Sequence, residues 1–376
     1  MRRKRGPYIH GQPDWPKLQW NQHQLTSTLA TVRHRQGRLL GRMEGLGSPL
    51  QQEAVLQTLT EDVVKSSDIE GEKLDASQVR SSIARRLGIG LGGVEPADRQ
   101  VEGVVEMMLD ATRNYALPLT ADRLFGWHAS LFPAGRSGMR KVRVGAWRDD
   151  TTGPMQVVSG AVGSERVHFE APAADQLDSE MKAFLDWFNR ERAAADLDEV
   201  LKAGLAHLWF VTIHPSDDGN GRIARAITDM TLARSENNSQ RFYSMSAQIR
   251  QERNDDYEIL ERTQKGTLDV TPWMEWFLGC LGRAIDGAET TLAVVLRKAR
   301  FWRANRDVPI NERQRLMLNR LLDGFEGNLT TSKWATISKC SPDTALRDIS
   351  DLVGRGVLVR NAAAGRSTSY SLTEVA

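Results

Sequence analysis

The chain has 376 residues, 40% of them hydrophobic and 26% charged, an ordinary globular composition long enough for two or three packed cores. Lysine and arginine number 50 against 48 aspartate and glutamate, so net charge gives no argument for a nucleic-acid or membrane surface. No apolar run approaches the roughly 20 residues that cross a bilayer, no apolar stretch follows the basic start Met1–Arg5 as in a signal peptide, and Cys280 and Cys340 are too few for a disulfide scaffold, so a soluble cytoplasmic protein with core thiols is expected.

From Tyr8 to Trp20 the sequence is rich in proline and aromatic residues and reads as an irregular arm. Leu25–Leu46 and Leu50–Val64 carry apolar residues at helical spacing, the first despite Gly37, Gly41 and Gly45. A polar stretch, Ser66–Glu72, precedes a helix at about Ser77–Leu87, which the glycines of Gly88–Gly93 end. A domain boundary is placed there, closing an N-terminal region at 1–90. Pro96–Ala116 opens the next region, with Pro96 at a first-turn position and Val101, Val104, Val105 and Met108 on one face. Helices follow at Ala121–Leu131, Gln176–Arg190, Leu201–Ile213, Ile223–Arg234 and Val270–Trp302. In the second of these Met181, Phe184, Leu185 and Phe188 form a stripe that reads as buried. Val142–Pro172 breaks the rhythm: Gly145, Gly153, Pro154, Gly160 and Gly163 divide short β-prone pieces at Gln156–Ser159 and Arg166–Phe169, the pattern of a hairpin. From Asp307 three helices, Glu312–Leu322, Ser332–Lys339 and Pro342–Gly354, precede a strand-turn-strand in Val357–Leu372, with Gly356 and Gly365 at the stops. That is the order of a winged helix. The expectation is a mainly α protein with a helical core at 91–303 and a winged-helix module at 304–376.

The chemistry concentrates in the segment from His214 to Arg225, HPSDDGNGRIAR, between two apolar helices. Two glycines flanking Asn220 let the backbone turn and present bare N–H groups, and the positive dipole end of the following helix adds to them. This is an anion site by construction. Arg222 and Arg225 are three apart and share a face, which implies more than one phosphate. Asp218 is placed to hold Mg²⁺, which takes one or two carboxylates plus phosphate and water oxygens. His214, at the other end of the loop, can accept a proton from an attacking hydroxyl. A base, a metal ligand, an anion hole and a charge clamp are the parts of phosphoryl or nucleotidyl transfer.

The loop resembles the motif of Fic-family enzymes, His-x-Phe-x-Asp/Glu-Gly-Asn-Gly-Arg-x-x-Arg, at seven positions: His214, Asp218, Gly219, Asn220, Gly221, Arg222 and Arg225. The resemblance implies a mainly α fold, a Fic helical bundle with a β-hairpin flap, and transfer of AMP from Mg-ATP to a hydroxyl of a target protein. By it His214 is the base, Asp218 the Mg²⁺ ligand, Gly219–Gly221 with Asn220 the α-phosphate cradle, and Arg222 and Arg225 the clamp on the β- and γ-phosphates. One position departs, since Ser216 stands where the family has a Phe that anchors the loop.

Ser66-Ser67-Asp68-Ile69-Glu70-Gly71 is similar to the family's inhibitory pattern Ser/Thr-x-x-x-Glu-Gly/Asn. It implies that Glu70 pairs with Arg225 and takes the space of the γ-phosphate. The Gly145–Pro172 interval resembles the flap that aligns a target by strand addition. In the C-terminal module, Thr344, Arg347 and Asp348 on the third helix and Arg360 and Arg366 at the wing would face DNA. Nine basic against eight acidic residues between Asp307 and Ala376 make a weak footprint for it, and protein docking or a homodimer stays open. Open too are removal of AMP, another phosphoryl or nucleotidyl transfer, and, in a different class, a nucleotide-sensing DNA-binding regulator with a degenerate core. No membrane partner is expected.

Overall fold

The structure, a computed structural model, describes residues 8–90, 96–151, 153–160, 164, 166–190, 197–325, 327–361 and 368–373. Contacts divide the chain into two compact units, neither of which is one run of sequence: 1–45, 55–83 and 96–288 form the first, and 46–54, 84–95 and 289–376 the second. Helices α1 (Gln22–Glu44), α2 (Ser48–Ile69) and α3 (Ala76–Leu87) come first, followed by α4 (Arg99–Arg113) and α5 (Ala121–Leu131). Two small antiparallel pairs come next, β1 (Arg136–Ser137) with β2 (Arg140–Lys141) and β3 (Gln156–Ser159) with β4 (Arg166–Glu170). Then come α6 (Leu177–Phe188), α7 (Glu199–Ile213), α8 (Asn220–Glu236), α9 (Met245–Gln251), α10 (Arg253–Gln264) and the long α11 (Thr271–Ala304). The protein is mainly helical, as expected, and no helix among the described residues is long and apolar enough to cross a membrane.

The first unit is organised around α7, every residue of which is buried. A helix apolar on nearly all sides is stable only when neighbours cover all of them, and α7 packs along α8 and against α6. Gly204 lets α11 approach: a Cβ there would lie 2.9 Å from Phe277, and the freed space also admits the Trp273 indole N–H, which donates to the Gly204 carbonyl at 2.9 Å. Gly103 does the same between α4 and α5, where an added Cβ would lie 1.7 Å from the Ser130 carbonyl oxygen. Backbone cannot yield as a side chain can, so Gly103→Ala is expected to cost about 3 kcal/mol in urea unfolding, whereas Gly126→Ala, with open space around it, should change little.

The N-terminal arm is tied down at both ends. His10 Nε2 donates to the Glu170 carbonyl at 2.8 Å and Tyr8 packs edge-on against buried Phe169 of β4. Gln19 exchanges two backbone hydrogen bonds of 2.8 Å with the segment entering α11, bonding Leu268 and Val270. The β3–β4 hairpin falls on the two β-prone pieces, with Val157 opposite Phe169 and a register shift after Val157. Its turn at 161–163 lies outside the described residues.

Several expectations need correction. Ser66–Glu72 is not a free polar stretch: α2 runs to Ile69, and Ser66 and Ser67 are fully buried. Pro96 lies ahead of α4, which starts at Arg99 behind Asp98, whose side chain caps it by accepting from Val101 N at 2.8 Å. Helices α9 and α10 and the β1–β2 hairpin had no counterpart in the sequence reading. Cys280 is buried but Cys340 only partly so, and both are free.

The second unit contains α12 (Glu312–Leu322), α13 (Thr331–Ile337), α14 (Pro342–Gly354) and the antiparallel pair β5 (Leu358–Arg360) and β6 (Tyr370–Leu372). Met317, Leu318, Trp334, Ile349 and Leu352 fill its core. Asn311 and Gln314 form a reciprocal cap on α12, and Gly356 takes a φ of +73° where the chain leaves α14 for β5. Asp348 does not face outward with Arg347. It is buried and pairs with Arg313 at 2.9 Å. Gly365 and Arg366 lie outside the described residues.

Candidate active site

Helix α7 ends at His214, whose backbone adopts the left-handed conformation (φ 51°, ψ 60°) and whose N–H closes the helix on the Phe210 carbonyl at 3.0 Å. That conformation is uncommon outside glycine and turns the chain sharply at one residue. The imidazole Nδ1 lies 3.3 Å from the Val211 carbonyl. A carbonyl only accepts, so this contact places the proton on Nδ1 and leaves Nε2 with its lone pair. Burial lowers the His214 pKa to about 4, helped by Arg148 and opposed by the Val211 hydrogen bond and the carboxylates of Glu70 and Asp218. The ring is therefore neutral near pH 7.

The loop beyond is held by polar contacts. Asn220 Oδ1 accepts from the Ser216 N–H at 3.0 Å while its Nδ2 donates to the Ser216 carbonyl at 2.8 Å, so one side chain ties both backbone groups of Ser216. Ser216 is itself buried. Arg148, in the segment between β2 and β3, donates through Nε to the His214 carbonyl at 2.8 Å and through Nη2 to the Pro172 carbonyl at 2.5 Å, and its N–H donates to the Pro215 carbonyl at 2.9 Å. Asn220 and Arg148 thus hold the backbone on either side of Ser216. Asp217 Oδ2 accepts from the Arg143 N–H at 2.8 Å, and His128 donates to the Asp218 carbonyl at 3.2 Å.

Gly219, with a φ of +78°, caps α8 and lies against Phe132, which a Cβ would approach to 2.9 Å. Asp218 Oδ1 accepts from the Gly219 N–H at 2.6 Å, and no hydrogen bond to its Oδ2 is recorded among the described residues. No group of three or more His, Cys, Asp or Glu among the described residues could hold a metal on its own, so a cation at Asp218 would take other ligands from phosphate and water. Asn220, Arg222 and Arg225 are buried in the first turns of α8.

Both arginines are occupied. Arg225 donates from Nε to Ser66 Oγ and from Nη2 to the Ser66 carbonyl, each at 2.9 Å, and from Nη2 to Glu70 Oε1 at 2.7 Å. The same Glu70 oxygen lies 2.3 Å from where a Cβ on Gly221 would be, so the carboxylate rests on the bare backbone of the loop. Arg222 pairs with Glu72 at 2.5 Å and lies over the Phe132 ring at 5.1 Å. Every site residue read from the sequence, His214, Asp218, Gly219, Asn220, Gly221, Arg222, Arg225 and Glu70, thus belongs to one constellation.

Sequence reading missed Arg148, His128, Glu72 and Asp256. Asp256 is buried on α10, one oxygen without a partner, and burial pushes its pKa up to about 7 against the pull of Arg225. None of the four lies in a local pattern that singles it out. Arg148 lies within the Gly145–Pro172 interval that resembles the flap, but its immediate neighbours do not mark it.

Residues 118–232 match the Fic/DOC family, and residues 8–89 match a domain of unknown function, DUF4172. The protein adenylyltransferase Fic of Nematostella vectensis is 34% identical over 123 residues, 32% of this chain and 27% of that protein. The protein of the same name from Drosophila willistoni is 24% identical over 233 residues, 60% of this chain and 40% of that protein. The matched stretches thus span well under half of those relatives. A crystal structure of a Fic family protein from Desulfovibrio desulfuricans G20 has the same fold, with a TM-score of 0.51 at 18% identity, covering 94% of this chain and 96% of that one.

Proposed function

This chain is a Fic-domain protein, and on that premise we propose that it is a protein adenylyltransferase, which moves AMP from ATP to a Ser, Thr or Tyr hydroxyl of a target protein or of itself and is restrained by Glu70. The observation that carries the reading is the juxtaposition of a neutral His214, its proton held on Nδ1, with an α8 N-terminus that bears two buried arginines.

In this mechanism His214 Nε2 takes the proton of the target hydroxyl as its oxygen attacks the α-phosphorus. The new O–P bond forms as the bond to the β-phosphate bridging oxygen breaks, and pyrophosphate leaves. The N–H groups around Gly219–Gly221 and the α8 dipole stabilise charge on the α-phosphate, while Arg222 and Arg225 clamp the leaving pyrophosphate. Asp218 would hold Mg²⁺ with phosphate oxygens. When bound, the ion neutralises phosphate charge. The β3–β4 hairpin, joined to His214 through Arg148 and Pro172, would carry the target segment. The second unit, with helices and hairpin in winged-helix order, would dock a protein partner or DNA, and a gel shift with the full chain separates these.

The deciding experiment incubates the protein with ATP labelled at the α- or the γ-phosphate and locates the adduct by mass spectrometry. Label retained from the α position alone supports AMP transfer. Label retained from the γ position alone makes the protein a kinase.

The pH dependence follows from His214. Its pKa is lowered to about 4, so the active neutral form persists through the neutral range. The transfer rate is expected to be flat from about pH 6 to 8 and to drop as the pH falls toward 4. An inflection near the ordinary histidine value of 6.5 in a rate profile would place the base elsewhere.

A further inference from the structure

We infer that the end of α2 and the turn after it form a two-pronged internal anion: Glu70 occupies Arg225, Glu72 occupies Arg222, and together they stand in for the two terminal phosphates of a nucleotide. The inference rests on the reading of the loop as a nucleotide site and extends it to a residue, Glu72, outside the pattern that drew attention to Glu70.

The geometry is that of a paired ligand. Gly71, between the two glutamates, has a φ of +82°, a conformation glycine adopts without strain. The chain therefore turns so that carboxylates two residues apart both reach the first turns of α8. Glu70 Oε1 accepts from Arg225 at 2.7 Å and Glu72 Oε2 accepts from Arg222 at 2.5 Å. The arginines are about one turn apart on α8.

The two sides of these pairs differ in freedom. Arg222 and Arg225 are 1% and 5% exposed, and Arg222 has its Nε buried without a partner and its guanidinium over Phe132. Neither can swing into water to shed its counter-ion. The glutamate side chains are 31% (Glu70) and 26% (Glu72) exposed and can. A fixed cation that must be neutralised will accept whichever anion is at hand, so carboxylate and phosphate compete for it. Glu72 has an additional hold: the same Oε2 accepts from Gln100 Nε2 at 2.9 Å. Removing Glu70 alone therefore takes the carboxylate from Arg225 and leaves Arg222 engaged.

Calorimetric titration of the full chain with Mg-ATP and with AMP tests this in wild type, Glu70→Gly, Glu72→Gln and the double variant. Glu72→Gln is expected to tighten Mg-ATP binding by about five-fold or more and to leave AMP binding unchanged, because AMP has no terminal phosphates for Arg222. The double variant should bind Mg-ATP more tightly than either single one, and Gln100→Ala should shift affinity in the same direction by less. Mg-ATP affinity in Glu72→Gln equal to or weaker than wild type overturns the inference. So does an equal gain for ATP and AMP, the mark of a merely loosened segment. If Glu70→Gly alone gains affinity, the nucleotide-site reading stands while the second prong falls. No binding of Mg-ATP to any variant removes that reading and the inference with it.

Discussion

Replacing His214 with Ala is expected to reduce AMP transfer by roughly 10²- to 10⁴-fold, the usual contribution of a positioned general base, with little change in Mg-ATP affinity. The side chain is bonded at Nδ1 to its own helix, and the loop's backbone order depends on other residues, Asn220 and Arg148. The variant should therefore keep the wild-type melting profile while losing labelling from α-labelled ATP. His214→Gln, which retains a polar side chain but no base, should be equally inactive. Transfer within a factor of about three of wild type would remove His214 from its assigned role, because an uncatalysed deprotonation does not reach enzymatic rates.

The second large effect has the opposite sign. Glu70→Gly is expected to raise transfer by about 5- to 100-fold, the range that an intramolecular coupling of about 1–3 kcal/mol supports. The carboxylate both neutralises Arg225 and lies against Gly221, so its loss opens space and frees charge at once. Arg225 does not collapse in its absence, since Ser66 still binds it through Oγ and through the carbonyl. That residual hold is why activation, rather than disorder, is the expected outcome. Initial rates on the full chain with labelled ATP measure it, and the double variant Glu70→Gly/His214→Ala should fall back to the His214→Ala level. A rate for Glu70→Gly at or below wild type would end the reading of Glu70 as a brake.

What the sequence makes legible and what it hides follow from how local each determinant is. The apolar periods of α4 and α6 and the β-prone pieces of β3 and β4 are local, and the elements lie where those patterns put them. The loop is local as well, since Gly219, Asn220, Gly221, Arg222 and Arg225 fit one another within a turn and a half of helix. Helix α10 escapes because few of its residues are buried and three of those, Asp256, Thr263 and Gln264, are polar. Ser66 and Ser67 look like solvent-facing residues, yet both are buried, Ser66 against Arg225 of α8. Glu72 and Arg148 act across 150 and 66 residues respectively, and nothing in their neighbours announces the partner.

The Arg148 guanidinium grips both the exit of the β3–β4 hairpin, at Pro172, and the carbonyl of His214, so in the proposed transfer the surface that would carry a target and the base that would activate it are mechanically one piece. On that proposal, a target that seats poorly on the hairpin would draw the imidazole out of line. Discrimination among targets should then appear in kcat more than in KM, as a form of checking at the moment of reaction.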